Sequence, residues 1–153
     1  MNKNLKIIFS LMIIIILFDS CDPMDDRFKF TNNINDKLYV SMFFLEDSSY
    51  KETGLDIRIV ESMQSEKFGT IFNWDNAFSR SKSQIMDVVV FRNALNLKDI
   101  HSIGTIDKRD SLIKVGAYVS RQYSYSELLK KDWRIIYPED GFSKGLPKEV
   151  IYK

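Results

Sequence analysis

One thiol, one imidazole and a surplus of aromatic rings are the groups in this 153-residue chain that could do chemistry. Cys21 is the only cysteine, which excludes an intramolecular disulfide and a multi-cysteine zinc site. His101 is the only histidine and stands in Asp99-Ile100-His101-Ser102, a turn-like stretch. A hydrolase triad needs a histidine between a nucleophile and an acid. Ser and Asp are too abundant here for their proximity to mean anything, and there is no Gly-x-Ser-x-Gly elbow. His101 therefore reads as a surface or hydrogen-bonded residue, and no catalytic residue is assigned. Carboxylates occur at Glu46-Asp47, Asp107, Asp110 and Glu139-Asp140. A glycosidase needs two acids about 5–9.5 Å apart across a cleft, a spacing that sequence does not define, so these read as solvated loop charge. Asp22, Asp25 and Asp26 lack the glycine turn of a calcium loop. No metal and no cofactor are expected. Tyr39, Phe43, Trp74, Tyr125 and Trp133 could stack on sugar rings or peptide side chains, and Tyr39, Phe43 and Trp74 are the ligand-binding candidates. Tyr39 and Phe43 flank Ser41 on the outer side of an alternating segment. That side is either covered by a second layer or forms an exposed sticky stripe, core packing being the commoner fate of such residues.

Composition narrows the classes further. The 22 Lys plus Arg balance 21 Asp plus Glu, unlike the basic surplus of a dedicated nucleic-acid binder. No phosphate loop, dinucleotide fingerprint or basic-aromatic stripe is present. With 44% hydrophobic and 13% aromatic residues the chain is globular, and its length suits one domain.

The elements that must position these groups are mostly strands. Phe28-Lys29-Phe30 alternates, the polar cluster Thr31 to Asp36 is a turn, and Leu38, Val40, Met42 and Phe44 then recur with period two. The two segments are expected to pair as an antiparallel hairpin with a longer loop. Ile57 to Ile59 and Lys67 to Phe72 are further strands. Asn73 can cap a short helix through Trp74, Ala77 and Phe78. The run Ile85 to Phe91 fits a strand buried on both faces. Asn96 to Ile100 suggests one helical turn, and Leu112 to Val119 another strand. Ser124 to Glu127 forms a capping box for a helix over Tyr125 to Lys131. Trp133, Ile135 and Tyr137 alternate in a final strand ended by Pro138. The expected fold is mainly β, an antiparallel two-layer sandwich with short helical insertions. It spans residues 27–153 as a single domain with a short tail.

Residues 1–20 are different. Lys3 and Lys6 precede twelve uncharged residues, Ile7 to Phe18. A basic start, a short apolar core and small residues after it are the layout of a signal peptide. At 1.5 Å per residue the apolar run spans about 18 Å, too short for about 30 Å of hydrocarbon.

Leu17-Phe18-Asp19-Ser20-Cys21 resembles a bacterial lipoprotein signal, in which a small residue precedes the cysteine that becomes the first residue of the mature chain. The resemblance implies cleavage after Ser20 and acylation of Cys21, making the membrane a partner through that residue. Residues 21–26, with Asp22, Asp25 and Asp26, then read as an acidic tether, similar to the surface-export signal of Bacteroidetes lipoproteins. Two more stretches resemble small Bacteroidetes lipoproteins: Phe30-Thr31-Asn32-Asn33 through Leu38-Tyr39-Val40, and Arg121-Gln122-Tyr123 through Leu128, Trp133, Ile136, Tyr137 and Pro138. The resemblance implies an outer-membrane, surface-exposed location, with an inward-facing periplasmic lipoprotein as the alternative. Cleavage would remove two basic and one acidic side chain, leaving no net charge. The expected function is a lipid-anchored, non-enzymatic binding or structural domain, with a glycan or protein as possible ligand and no nucleic acid. A small carbohydrate-active or other hydrolytic enzyme and an accessory subunit of an envelope complex are the alternatives.

Overall fold

A computed structural model of the chain describes residues 25–46, 49–52, 57–70, 73–92 and 103–152, the side chains of residues 52, 103 and 104 excepted. Among the described residues, ten strands and three helices follow in the order β1 (Asp25–Asn32), β2 (Leu38–Glu46), β3 (Ser49–Glu52), β4 (Arg58–Val60), β5 (Ser65–Thr70), α1 (Trp74–Arg80), β6 (Ile85–Arg92), α2 (Ile103–Lys114), β7 (Val119–Ser124), α3 (Tyr125–Lys130), β8 (Arg134–Tyr137), β9 (Ser143–Lys144) and β10 (Glu149–Ile151). They build a small sheet, β5-β1-β8, and a seven-stranded sheet, β10-β3-β2-β6-β7-β9, with β4 beside β2. The two sheets pack together, and the fold is mainly β and sandwich-like.

The strand alternations explain this packing. On β2, Leu38, Val40, Met42 and Phe44 face the small sheet and join Phe28, Phe30, Phe68, Ile135 and Tyr137 in the main core. α1 and α3 close its flank with Trp74, Phe78 and Leu128. Asn73 accepts from the Asn76 N–H at 2.8 Å and starts α1, as its residue type predicts. Ser124 accepts from the Glu127 N–H at 3.2 Å and starts α3. Glu127 itself turns to Arg121, at 2.9 Å. β6 is buried along both faces. Behind the large sheet, Tyr39, Phe43, Tyr50, Val89 and Phe91 form a second core with Ile113 of α2. α2 is thus the layer that covers the Tyr39–Phe43 side.

Four expectations are corrected. β1 and β2 do not form a hairpin: β1 pairs antiparallel with β5 and parallel with β8, while β2 lies in the other sheet. The polar cluster is a turn, but it carries the chain across the sandwich. Asn32 pins it there, fully buried, with Nδ2 donating to Asp36 O at 2.8 Å and Glu61 O at 3.0 Å and Oδ1 accepting from the Ile34 N–H. Period two shows that a segment is a strand but not which sheet it joins. The strand expected from Leu112 to Val119 begins only at Val119, because Leu112 to Lys114 end α2. Gly116, at φ +69°, closes that helix: its N–H bonds Ile113 O at 3.0 Å and the Ala117 N–H bonds Leu112 O at 2.8 Å, a Schellman stop. Val115, expected inside, is 68% exposed. Asp25 and Asp26, expected in a tether, are the first residues of β1. The expected tail supplies β9 and β10. The turn expected at Asn96 to Ile100 lies outside the described residues.

Candidate functional site

The three aromatic ligand candidates are buried in the two cores. Phe43 is 0% exposed, Tyr39 8% and Trp74 0%. Phe43 stacks on Tyr50 at 4.9 Å between ring centroids, and the Arg109 guanidinium of α2 lies 5.1 Å from the centre of the Phe43 ring. Trp74 packs between Phe28, at 5.4 Å, and Trp133, at 6.2 Å. Tyr125 rests its ring edge on Trp133 and donates its hydroxyl to Asp75 at 2.6 Å. Tyr39, Phe43 and Trp74 thus belong to the two cores, with Tyr125 partly buried at the edge of the main one. Cys21, His101 and Asp47 lie outside the described residues.

Of the carboxylates expected as solvated loop charge, Glu46, Asp110, Glu139 and Asp140 instead make structural contacts. Glu46 pairs with Lys51 at 3.2 Å. Asp110 pairs with Arg109 at 2.8 Å and accepts from the Tyr152 hydroxyl. Asp140 accepts from Lys131 Nζ at 2.7 Å, the Ile136 N–H at 3.0 Å and the Tyr123 hydroxyl at 3.2 Å. Glu139 accepts from Asn33 Nδ2 at 2.9 Å.

A carboxylate not singled out from the sequence is the most deeply placed. Asp87, on β6, is 1% exposed and sits opposite Phe43 of β2 in the second core. Its Oδ2 is 2.8 Å from the Tyr50 hydroxyl, which is 2.9 Å from the Tyr118 hydroxyl, which donates to Leu146 O at 2.5 Å. Counting protons bears on the charge of this chain. The carbonyl of Leu146 only accepts, and the two phenols supply two hydrogens for three contacts. A neutral Asp87 carboxyl would supply the third hydrogen, whereas an ionised one accepts from the Tyr50 hydroxyl. If Asp87 ionised, two hydroxyl oxygens would face each other with no hydrogen between them. Burial acts in the same direction: it raises the Asp87 pKa against the opposing pull of Tyr50, Ser120, Lys148 and Gln122. Burial also raises the Tyr50 pKa far above the phenol range, and it raises that of Tyr118. Asp87 Oδ1 and the neighbouring Ser41 Oγ are buried without a hydrogen bond of good geometry. A lone carboxylate inside the apolar run Ile85 to Phe91 was the sequence signal for this cluster.

The second arrangement is open. Across the outer face of the small sheet, Lys29 lies directly opposite Lys67 on one side and Arg134 on the other. With Asp26, Arg27, Asp132 and Trp133 they line a groove of about 460 Å³. Arg27 is fixed at its end, 2.8 Å from Asp25 and 2.9 Å from Asp75, with its guanidinium 4.5 Å from the centre of the Trp133 ring. Burial pushes the Asp25 carboxyl up, but the Trp74 N–H and Arg27 outweigh it and hold it below its ordinary value. Arg27 and the Tyr125 hydroxyl lower Asp75 likewise. The cation row was invisible in the sequence, because it exists only through the register of three distant segments.

Among the described residues no helix is long and apolar enough to cross a membrane, and no group of three or more His, Cys, Asp or Glu could hold a metal ion. The chain matches no family model, no curated protein and no solved structure.

Proposed function

We propose that the chain is a membrane-anchored, non-catalytic domain displayed outside the cytoplasm, held by acyl chains on Cys21. The observation that carries this reading is one of position. The lone cysteine lies three residues beyond a twelve-residue apolar segment with a basic start, and the first described strand begins four residues later at Asp25. The cysteine thus precedes every described strand in the sequence. Each buried methylene contributes about 0.8 kcal/mol, so one chain of myristoyl length holds marginally and two or three hold firmly. The resemblance to small Bacteroidetes lipoproteins fits a location on the outer membrane facing outward. A binding or structural role is supported by the fate of the chemistry-bearing groups. Tyr39, Phe43 and Trp74 pack the cores, Glu46, Asp110 and Asp140 make structural pairs, and Asp87 is buried against Tyr50.

Growth of a producing bacterium with radiolabelled palmitate tests the anchor. The wild-type chain should incorporate label and fractionate with the envelope, and Cys21→Ala should incorporate none. Label retained by the variant would refute the assignment.

A further inference from the structure

The small sheet spends its two faces unequally. Phe28 and Phe30 point inward, so Lys29 between them points out. On that outer face Lys29 meets Lys67 across β5 and Arg134 across β8. Like charges directly opposite on neighbouring strands repel, and strand pairs ordinarily avoid them. The flanking members have exposed partners at the strand ends: Asp26 is 2.8 Å from Lys67, and Asp132 is 3.0 Å from Arg134. Lys29, at the centre, pairs with no carboxylate among the described residues. The row therefore favours an anion lying across three strands, a span of about 10 Å at the usual strand spacing. Two residues further along, Ile136 adds an exposed aliphatic side chain opposite Thr31.

The covalent chain says what lies close to this face. Only Asp22, Pro23 and Met24 separate Cys21 from β1. Even fully extended, four residue steps reach about 14 Å. Lys29 is four residues along the same strand. We propose that the outer face of the small sheet lies against the headgroups of the membrane that holds Cys21, with Lys29, Lys67 and Arg134 binding anionic lipid phosphates. This rests on the acylation of Cys21 proposed above. The row thereby sets the orientation of the domain: small sheet down, α2 and the second core turned away.

The test uses the acylated protein reconstituted into vesicles of phosphatidylcholine alone or of phosphatidylcholine with phosphatidylglycerol. Amine acetylation is read lysine by lysine by mass spectrometry, with Lys114 of α2 as the reference on the far side. In the anionic vesicles Lys29 and Lys67 should react about fivefold more slowly, as expected for cations drawn to an anionic surface. Lys114 should be unchanged, and high salt should abolish the difference. The charge-reversed variant K29E/K67E, checked for native circular dichroism, should stay anchored but show weaker energy transfer from tryptophan to a dansyl-labelled headgroup. Anchored protein with equal lysine reactivity in both vesicles overturns the proposal and leaves the acyl anchor intact. Protection by excess inorganic phosphate without vesicles also overturns it, in favour of a soluble anion. Protein that fails to float with vesicles of either kind removes the anchor and the proposal together.

Discussion

Replacing Asp87 by Asn should stabilise the protein relative to wild type, and increasingly so as the pH rises. In the Asp87–Tyr50–Tyr118–Leu146 chain a neutral Asp87 carboxyl would supply the third hydrogen. An Asn amide supplies that hydrogen without being able to ionise. The raised pKa of Asp87 gives the sign. Near and below the unfolded-state value of about 4, both states hold the proton and Asp87 exerts its full benefit. Above it the unfolded chain releases the proton while the folded chain retains it. Stability then falls by about 1.4 kcal/mol per pH unit until the folded-state pKa is passed, where the loss levels off. Asp25 and Asp75 act in the opposite sense, since their lowered values lose stability only as the pH falls below about 4. They are common to both proteins and cancel in the difference. Urea denaturation of wild type and Asp87→Asn from about pH 4 to about pH 8 should therefore give curves that diverge with the slope above and then run parallel. Asp87→Ala, which deletes the donor and leaves the Tyr50 oxygen short of a partner, should cost about 1–3 kcal/mol at pH 4. A difference between wild type and Asp87→Asn that is flat with pH would refute the proton count. So would an Asn variant as unstable at pH 4 as the Ala variant.

Two further substitutions probe the same core. In Gly145→Ala the new methyl would lie 2.2 Å from the Tyr118 ring, so the ring must move and its hydroxyl must leave Tyr50 and Leu146. Denaturation should show a loss of about 2–3 kcal/mol, and a loss under about 0.5 kcal/mol would mean the ring yields freely. Phe43→Ala should cost about 3–5 kcal/mol by the same assay, because it empties a fully buried site stacked on Tyr50. A ring reserved for a ligand would instead be removed at little cost to stability.

What the sequence disclosed and what it hid divide along a physical line. Local rules worked where the deciding interactions are local. Asn73 and Ser124 begin α1 and α3 because a cap is satisfied within three residues. The alternation of β2 and the apolar run of β6 mark strands because burial of each side chain follows its own position. Pairing is not local. Nothing in Phe28-Lys29-Phe30 states that its partners lie near residues 67 and 134, so the expected hairpin with β2 was the nearest available choice and the wrong one. The end of α2 was legible and misread: alternate apolar residues from Ile113 suggested a strand, while Lys114 followed by Gly116 carried the helix stop. β9 and β10 are too short to announce themselves by periodicity. The same distinction holds for the candidate sites. Asp87 was recognisable as a charge out of place in an apolar run, but its phenolic partners lie 37 and 31 residues away along the chain and were not. The cation row depends wholly on strand register.

The two short strands β9 and β10 stand on opposite rims of the seven-stranded sheet, with only Gly145 to Lys148 between them in the chain. That stretch works as a clasp. Without it, β7 and β3 would both present unpaired amide groups, and each copy could recruit another at either side. Synthesis delivers this piece after every strand it covers, so a nascent chain travels with both rims bare. A single proteolytic cut before Ser143 would leave β7 and β3 without the strands that now pair with them.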